Sequence, residues 1–141
     1  MFRFVLIGAG QRGMIYARYA YQSGLADIVA LAEPDAARRE AAGKALFVSP
    51  ENCHASADAL LARGKIADAA IIASMDRDHY AQAMKALELG YDLLLEKPIS
   101  PDPRECMEIE RKAAQAGRRV AVCHVLRYSP FFREIKAVID S

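Results

Sequence analysis

A glycine-rich segment follows the first apolar run of the chain. Gly8, Gly10 and Gly13 form the pattern Gly-x-Gly-x-x-Gly, and Gln11 and Arg12 fill its second half. At a strand-to-helix turn, the first glycine permits the tight bend, the second lets backbone approach a pyrophosphate, and the third lets the helix pack closely on the strand. The N–H groups and positive dipole end of such a helix also attract phosphate. We therefore predict that these five residues bind a dinucleotide. The alternative is a turn that is only structural.

An acidic residue stands where it can recognise ribose. Glu33 lies 20 residues after Gly13, at the end of the next apolar run. A carboxylate there accepts hydrogen bonds from adenosine ribose hydroxyls and repels a 2′-phosphate, which favours NAD over NADP. Arg38 and Arg39 follow closely, so NADP binding stays possible if one of them swings back. Alternatively, Glu33 or, more readily, Asp35 caps the next helix.

The segment Ser74-Met75-Asp76-Arg77-Asp78-His79 follows another apolar run. In open α/β sheets, ligands bind beyond the carboxyl ends of the strands, so Ser74, Asp76 and His79 are candidate cofactor contacts. The more ordinary interpretation makes Asp76 or Asp78 a helix N-cap. Similarly, His79 is more often a surface or packing residue than an acid or base.

A lysine is the candidate catalytic residue. Glu96-Lys97-Pro98 follows the next apolar run, so Lys97 is expected to emerge at the same edge of the sheet. A lysine there can steady a substrate hydroxyl or alkoxide beside a hydride-transfer centre. Glu96 is a candidate cofactor contact beside it, and an ordinary surface lysine is the alternative. Arg127 follows the last apolar run and can reach cofactor or substrate, or pair with a carboxylate.

The histidines and cysteines do not predict a metal site. His54 and His124 have no partner at metal-ligand spacing, and Cys53, Cys106 and Cys123 are odd in number and widely spaced. This pattern favours neither a disulfide framework nor a Cys-x-x-Cys site. We expect structural roles for these residues and a reducing, cytoplasmic compartment.

The elements that position these residues alternate along the chain. Short apolar runs without polar alternation predict strands buried on both faces, at 4–7, 28–32, 69–73, 93–95 and 120–125. Segments of helical composition separate them, at 12–22, 36–45, 57–62, 79–89 and 104–116. Glycines that follow four of these helices, Gly24, Gly64, Gly90 and Gly117, are expected left-handed C-caps. The prediction is an α/β Rossmann fold, a doubly wound parallel sheet of about six strands.

The last segment predicts a different kind of helix. Phe131, Phe132, Ile135, Val138 and Ile139 form one apolar stripe after Pro130. We expect residues 1–125 to form the NAD(P)-binding domain and residues 126–141 to begin a substrate-binding domain that is otherwise absent. The alternative is a helix that docks back on its own domain. If its apolar face is exposed, it can promote a homodimer.

Bulk properties narrow the class of ligand. The 141 residues are 53% hydrophobic and carry a formal net charge of +1, which suits one buried domain. Without a basic patch, neither nucleic acid nor an acidic membrane surface is an expected partner. The opening apolar run is too short to span a bilayer. A small molecule is the expected ligand.

Taken together, these motifs resemble those of the Gfo/Idh/MocA oxidoreductases, which include glucose-fructose oxidoreductase and inositol dehydrogenase. The resemblance covers essentially the whole chain. It rests on the glycine loop, Glu33, the Ser74 to His79 segment, the Glu-Lys-Pro triplet and the run Arg127-Tyr128-Ser129-Pro130. The family often has proline where Met75 stands and asparagine where Asp76 stands, so the nicotinamide-side contacts of this loop differ.

The resemblance implies an NAD(P)-dependent oxidoreductase. Hydride would pass between nicotinamide and a sugar, polyol or related small substrate, with Lys97 near both and assisting proton handling. The family usually takes a further Asp and His from its substrate-binding domain, so the chain alone is expected to be inactive. The alternatives are a non-catalytic NAD(H)-binding sensor or interaction module, and a methyltransferase, against which the Glu-Lys-Pro triplet argues.

Overall fold

The computed structural model describes residues 1–141 and contains six strands and six α-helices. The strands are β1 (Phe2–Ile7), β2 (Ala26–Ala32), β3 (Cys53–His54), β4 (Ala69–Ile72), β5 (Asp92–Leu95) and β6 (Val120–Val122). The α-helices are α1 (Gln11–Gln22), α2 (Ala36–Ala45), α3 (Ala57–Leu61), α4 (His79–Glu88), α5 (Pro103–Ala116) and α6 (Pro130–Ile139). Short 3-10 helices cover Pro50–Asn52, Asp76–Asp78 and Val125–Tyr128.

All strand pairs are parallel, and the strand order is β3-β2-β1-β4-β5-β6. β2 and β3 lie on one side of β1, and β4, β5 and β6 follow one another on its other side. Ile7, at the end of β1, pairs with Ala32 of β2 and Ile72 of β4, so the carboxyl ends of these strands meet at one edge. The predicted doubly wound Rossmann sheet is confirmed, and its switch point lies between β1 and β4.

Both faces of the sheet are covered, which explains the uninterrupted apolar runs. Val5 and Ile7 of β1 belong to a core of 17 buried residues that includes side chains of α3, α4 and α5. Leu6 belongs to a second core of 9 buried residues that includes side chains of α1 and α2. Alternate residues of one strand thus pack on opposite helical layers.

The predicted positions of the strands need two corrections. β3 was missed, because it is only two residues long and its sequence, Cys53–His54, has no apolar run. β6 ends at Val122, not at Val125. The His124 N–H donates to Val122 O at 2.8 Å, a tight local turn that replaces pairing with the sheet. Cys123 and His124 were placed in this strand and instead follow it.

The predicted helix ends are largely confirmed. Asp35 caps α2 by accepting the Arg38 N–H at 2.8 Å, and Gly117 caps α5 with a φ of +62°. Gly24, Gly64 and Gly90 also have positive φ. Of the two residues predicted as alternative N-caps of α4, Asp78 occupies the N-cap position but makes no side-chain cap hydrogen bond, and Asp76 lies at the start of the preceding 3-10 turn.

Helix α6 stands apart from both cores. It contains no buried residue, and the five apolar side chains of its stripe are all exposed: Phe131, Phe132, Ile135, Val138 and Ile139. A helix docked on its own domain, the alternative to the start of a second domain, would bury part of this stripe, and none of it is buried. No helix of the chain has the length and hydropathy to cross a membrane.

The buried hydroxyl of Tyr91 offers a test of the packing in the larger core. Tyr91 is fully buried; its hydroxyl accepts the Ile66 N–H at 2.9 Å and donates to Gly64 O at 2.8 Å. Tyr91→Phe leaves both backbone groups unpaired, so we expect the free energy of unfolding to fall by about 1–3 kcal/mol. Urea unfolding measures this. Tyr19→Phe, at an exposed position, is the control, and equal effects of the two changes would refute this account.

Candidate active site

The three glycines of the loop have different surroundings. Gly8 has a φ of +91°, and a Cβ there would lie 2.6 Å from Ala73 O of the neighbouring strand end. A Cβ on Gly13 would lie 2.0 Å from Gly8 O, so α1 packs against the loop at contact distance. A Cβ on Gly10 would meet nothing within 4 Å. Two glycines are therefore required by the fold, whereas the third faces open space.

The loop presents unpaired N–H groups beside Gly10. The N–H of Gly8 donates to Ala32 O and that of Ala9 to Glu33, but the N–H groups of Gly10, Gln11 and Arg12 have no acceptor in the protein. Gly10 is the N-cap of α1, and Gln11 and Arg12 are the first residues of this 12-residue helix. The side chains of Gln11 and Arg12 are exposed. The arrangement suits an anion that approaches the start of the helix.

Glu33 is buried and fastens the loop to β2. Its side chain Oε2 accepts the Ala9 N–H at 3.0 Å, and Oε1 accepts the Asp35 N–H at 3.0 Å. Arg38 also donates to Oε1, from Nε at 3.2 Å and Nη2 at 3.1 Å. The capping role belongs to Asp35 alone, so Glu33 is left at the strand end where a ribose-binding acid was predicted.

A cavity of about 260 Å³ lies between Glu33 and the end of β4. Gly8 and Gly10 line it on one side, and Ser74 lines it on the other. The Ser74 hydroxyl donates to Gln82 Oε1 at 2.6 Å, which fixes its orientation. The structure thus brings the glycine loop, the acid and the start of the Ser74 to His79 segment around one space.

A second cavity, of about 140 Å³, continues along the same edge. Its lining contains most of the remaining predicted residues: Arg12, Ser74, Asp76, His79, Glu96 and Lys97. Lys97 is exposed and forms no ion pair, and its bond to Pro98 is cis. Arg127 is exposed and lines neither cavity. The two cavities therefore bring together the predicted residues except Gln11, Gly13 and Arg127, and Gln11 and Gly13 lie at the start of α1 beside them.

His79 is fully buried, so a surface position is excluded. Its Nδ1 lies 2.8 Å from Pro98 O, and its Nε2 has no hydrogen-bond partner. If Nδ1 carries the proton, it donates to Pro98 O, and Nε2 is left as an acceptor. His79 thereby links the start of α4 to the Glu-Lys-Pro turn.

Sequence reasoning missed Tyr16. Its hydroxyl donates to Glu96 Oε1 at 2.5 Å, while Glu96 Oε2 accepts the Lys97 N–H at 2.8 Å. Glu96, which is buried, therefore ties α1 to the backbone of Lys97. The only available signal was a tyrosine one turn after Gly13, and nothing in the sequence shows which side chain it meets.

The surroundings of Tyr16 shift its titration. Burial first, then the hydrogen bond to Glu96, raise the pKa of Tyr16 well above its ordinary value near 10, and nearby Cys123 adds to the effect. Burial likewise raises the pKa of the Cys123 thiol, and the proximity of the Tyr16 hydroxyl partly offsets this rise. At neutral pH, Tyr16 is a neutral donor to Glu96.

Because its pKa is raised, Tyr16 should lose its proton at a higher pH than an ordinary tyrosine. Tyr16→Phe should remove one step above pH 10 from an absorbance titration at 295 nm. Because the unfolded chain releases this proton near pH 10 and the folded chain keeps it, Tyr16 should also make stability fall as pH rises beyond 10. The variant should show a shallower fall, and loss of a step near pH 10 with the late step retained would contradict the assignment.

A more voluminous cavity lies elsewhere. It measures about 720 Å³ and is lined by residues of α2 and of the segment leading to β3, including Arg39, Phe47 and Cys53. It contains none of the predicted site residues. Size alone does not locate the site here, because the unpaired N–H groups and the buried acid lie at the switch point instead.

All three cysteines are free.

Comparison with known proteins agrees with this geometry. A family model described as an oxidoreductase family with an NAD-binding Rossmann fold matches residues 2–124. Inositol 2-dehydrogenase 4 of Saccharopolyspora erythraea is 32% identical, over 99% of this chain and 41% of that protein. The rhizopine catabolism protein MocA of Rhizobium meliloti is 30% identical, over 99% of this chain and 41% of its own length.

A solved structure shows the same fold. The WlbA dehydrogenase of Bordetella pertussis, in complex with NADH and UDP-GlcNAcA, superposes with a TM-score of 0.87 at 25% identity, covering 99% of this chain and 42% of that one. The chain thus spans about two fifths of the length of the proteins it matches. On the match of its motifs, its strand order and the family model, the chain belongs to the Gfo/Idh/MocA oxidoreductases, as their NAD-binding Rossmann domain.

Proposed function

We propose that this chain binds a nicotinamide dinucleotide for an oxidoreductase that acts on a sugar, polyol or related small substrate. The observation that carries the proposal is the open space at Gly10, with its unpaired N–H groups, between two cavities that extend to Glu33 and to Lys97. The relatives named inositol 2-dehydrogenases support the class of substrate.

The residues fit a dinucleotide along its whole length. The N–H groups of Gly10, Gln11 and Arg12 suit the pyrophosphate, which is the most highly charged part of the molecule. Glu33 borders the larger cavity, where the adenosine ribose would lie. The smaller cavity, with Ser74, Asp76, His79 and Glu96 in its lining, would receive the nicotinamide end.

Lys97 is the residue we assign to the reaction. The nicotinamide, when bound, supplies the site that accepts or donates hydride. The Lys97 ammonium can donate a hydrogen bond to a substrate hydroxyl or alkoxide, and Glu96 holds the backbone of this lysine in place. His79 supports the same turn through Pro98.

The rest of the enzyme would complete the site. We assign residues 1–125 to the dinucleotide-binding domain and residues 126–141 to the start of a substrate-binding domain. The exposed stripe of α6 and the greater length of the relatives support this division. Arg127, which lines neither cavity here, would then act with that domain. Three free thiols support a reducing compartment, the cytoplasm.

Calorimetry can test the class of cofactor. Titration with NADH and, separately, with S-adenosylmethionine compares two adenosine cofactors that use similar glycine loops. We expect heat of binding with NADH only. Binding of S-adenosylmethionine in preference to NADH would overturn the proposal in favour of a methyltransferase.

A further inference from the structure

Tyr16 connects the glycine-loop helix to the Glu-Lys-Pro turn. It lies in α1, the helix that begins at the unpaired N–H groups of the loop. Gly13 brings this helix to contact distance of Gly8, and the Tyr16 ring packs against the core of 9 buried residues. The helix therefore holds the Tyr16 hydroxyl at a fixed distance from the place proposed for the pyrophosphate.

The hydroxyl contacts a buried carboxylate that has few partners. Glu96 is 6% exposed and forms no ion pair. Its Oε1 accepts the Tyr16 hydroxyl at 2.5 Å, and its Oε2 accepts the Lys97 N–H at 2.8 Å. Because a buried charge needs compensating donors, both hydrogen bonds contribute to the orientation of the carboxylate.

Loss of the Tyr16 hydroxyl would leave the Glu96 carboxylate with the Lys97 N–H alone. The side chains of Arg12 and Lys97 line the same cavity of about 140 Å³ as Glu96. A buried carboxylate that lacks a donor would turn towards one of these cations or towards water. Either movement releases the Lys97 N–H, and pairing with the Lys97 ammonium would also withdraw that group from a substrate.

We propose that Tyr16 is a positioning residue for Lys97, which it holds through Glu96 at a fixed place relative to the dinucleotide. The inference rests on the proposed function and deepens it. Reacting groups must be aligned closely, and a misplacement of about 1 Å can lower a rate about 10²-fold. His79 contacts Pro98 O from the other side of the turn, so loss of the hydroxyl should displace Lys97 without unfolding the turn.

Hydrogen exchange of single backbone amides in the 141-residue chain tests this link directly. Tyr16→Phe keeps the ring and loses the hydroxyl. In this variant the Lys97 N–H should exchange about tenfold faster, or more, than in the wild-type chain. The Glu96 N–H, which donates to Ile72 O at 2.9 Å, is the internal reference. Its exchange should change by less than about threefold, because the sheet stays intact.

Tyr80 provides a matched control. Its hydroxyl donates to Glu108, so Tyr80→Phe also removes a tyrosine–glutamate hydrogen bond, but one between α4 and α5. Exchange at the Lys97 N–H should be unchanged in this variant. Glu96→Gln gives a second route to the same contact if Tyr16→Phe does not fold. Its single carbonyl oxygen replaces two carboxylate oxygens, so exchange at Lys97 should again be faster.

Kinetics separate positioning from a merely structural role. For the oxidoreductase proposed above, Tyr16→Phe should lower kcat about tenfold and leave the dissociation constant for NADH within about threefold. Tyr80→Phe should leave both quantities unchanged. Steady-state kinetics with myo-inositol as the probe and titration with NADH measure them. A role in stability alone would not lower kcat while NADH affinity is kept.

The possible failures are distinguishable. Faster exchange at both Lys97 and Glu96 in Tyr16→Phe, or at neither, would overturn the link, whether or not the chain binds a dinucleotide. Faster exchange at Lys97 alone, with an unchanged kcat, would overturn the positioning role. Failure of the wild-type chain to bind NADH would overturn the proposed function and the positioning role with it.

Discussion

Gly10→Ala is expected to weaken NADH binding by about tenfold or more, equivalent to about 1.4 kcal/mol, while the fold stays intact. A Cβ at this position meets no protein atom within 4 Å and instead projects into the space beside the unpaired N–H groups. The backbone of Gly10, with a φ of −70°, is open to any residue. Unfolding stability should change by less than about 1 kcal/mol.

Gly13→Ala supplies the contrast. A Cβ there would lie 2.0 Å from a backbone oxygen of the loop, so α1 must move away from the sheet. We expect the free energy of unfolding to fall by about 3 kcal/mol or more. Urea unfolding of both variants, followed by NADH titration of those that fold, separates the two roles. Wild-type affinity in Gly10→Ala would contradict the assignment of this loop to the pyrophosphate.

The second large effect concerns turnover. For the oxidoreductase proposed above, Lys97→Met should lower kcat about 10²- to 10⁴-fold, the range for a positioned proton-transfer group. The dissociation constant for NADH should stay within about threefold, because the methionine keeps the apolar stem and loses only the ammonium. Steady-state kinetics with myo-inositol as the probe, together with NADH titration, measures both quantities.

A surface lysine controls for loss of charge. Lys85→Met, on the exposed face of α4, removes a lysine whose only ion pair is with Glu88. It should leave both kcat and NADH affinity unchanged. If Lys97→Met turned over as fast as Lys85→Met, Lys97 would be an ordinary surface lysine, which is the alternative that the sequence left open.

The sequence was most informative about the residues that directly follow the carboxyl ends of the strands. Gly8, Glu33, Ser74 and Lys97 each follow an apolar run, and parallel strands place their carboxyl ends at one edge. Strand type and order along the chain therefore placed four separate segments around two cavities that share Ser74 in their linings. The resemblance to a family then added an expected role for each segment.

The sequence was least informative where a position depends on tertiary contacts. Nothing in the chain predicts that Tyr16 meets Glu96, because the two are 80 residues apart and on different elements. The same holds for His79, whose burial depends on how α4 packs against the Glu-Lys-Pro turn. The short strand β3 lacks an apolar run for a similar reason, since it pairs at the sheet edge over two residues only.

The central claim is that the dinucleotide binds at the start of α1, at the switch point of the sheet. Amide ¹⁵N–¹H spectra of the wild-type chain, recorded during titration with NADH, test it most directly. We predict that the largest shifts occur at the N–H groups of Gly10, Gln11 and Arg12, with Phe47 in the separate cavity of about 720 Å³ unchanged. Shifts concentrated at Phe47 and its neighbours, with none at the glycine loop, would contradict the claim.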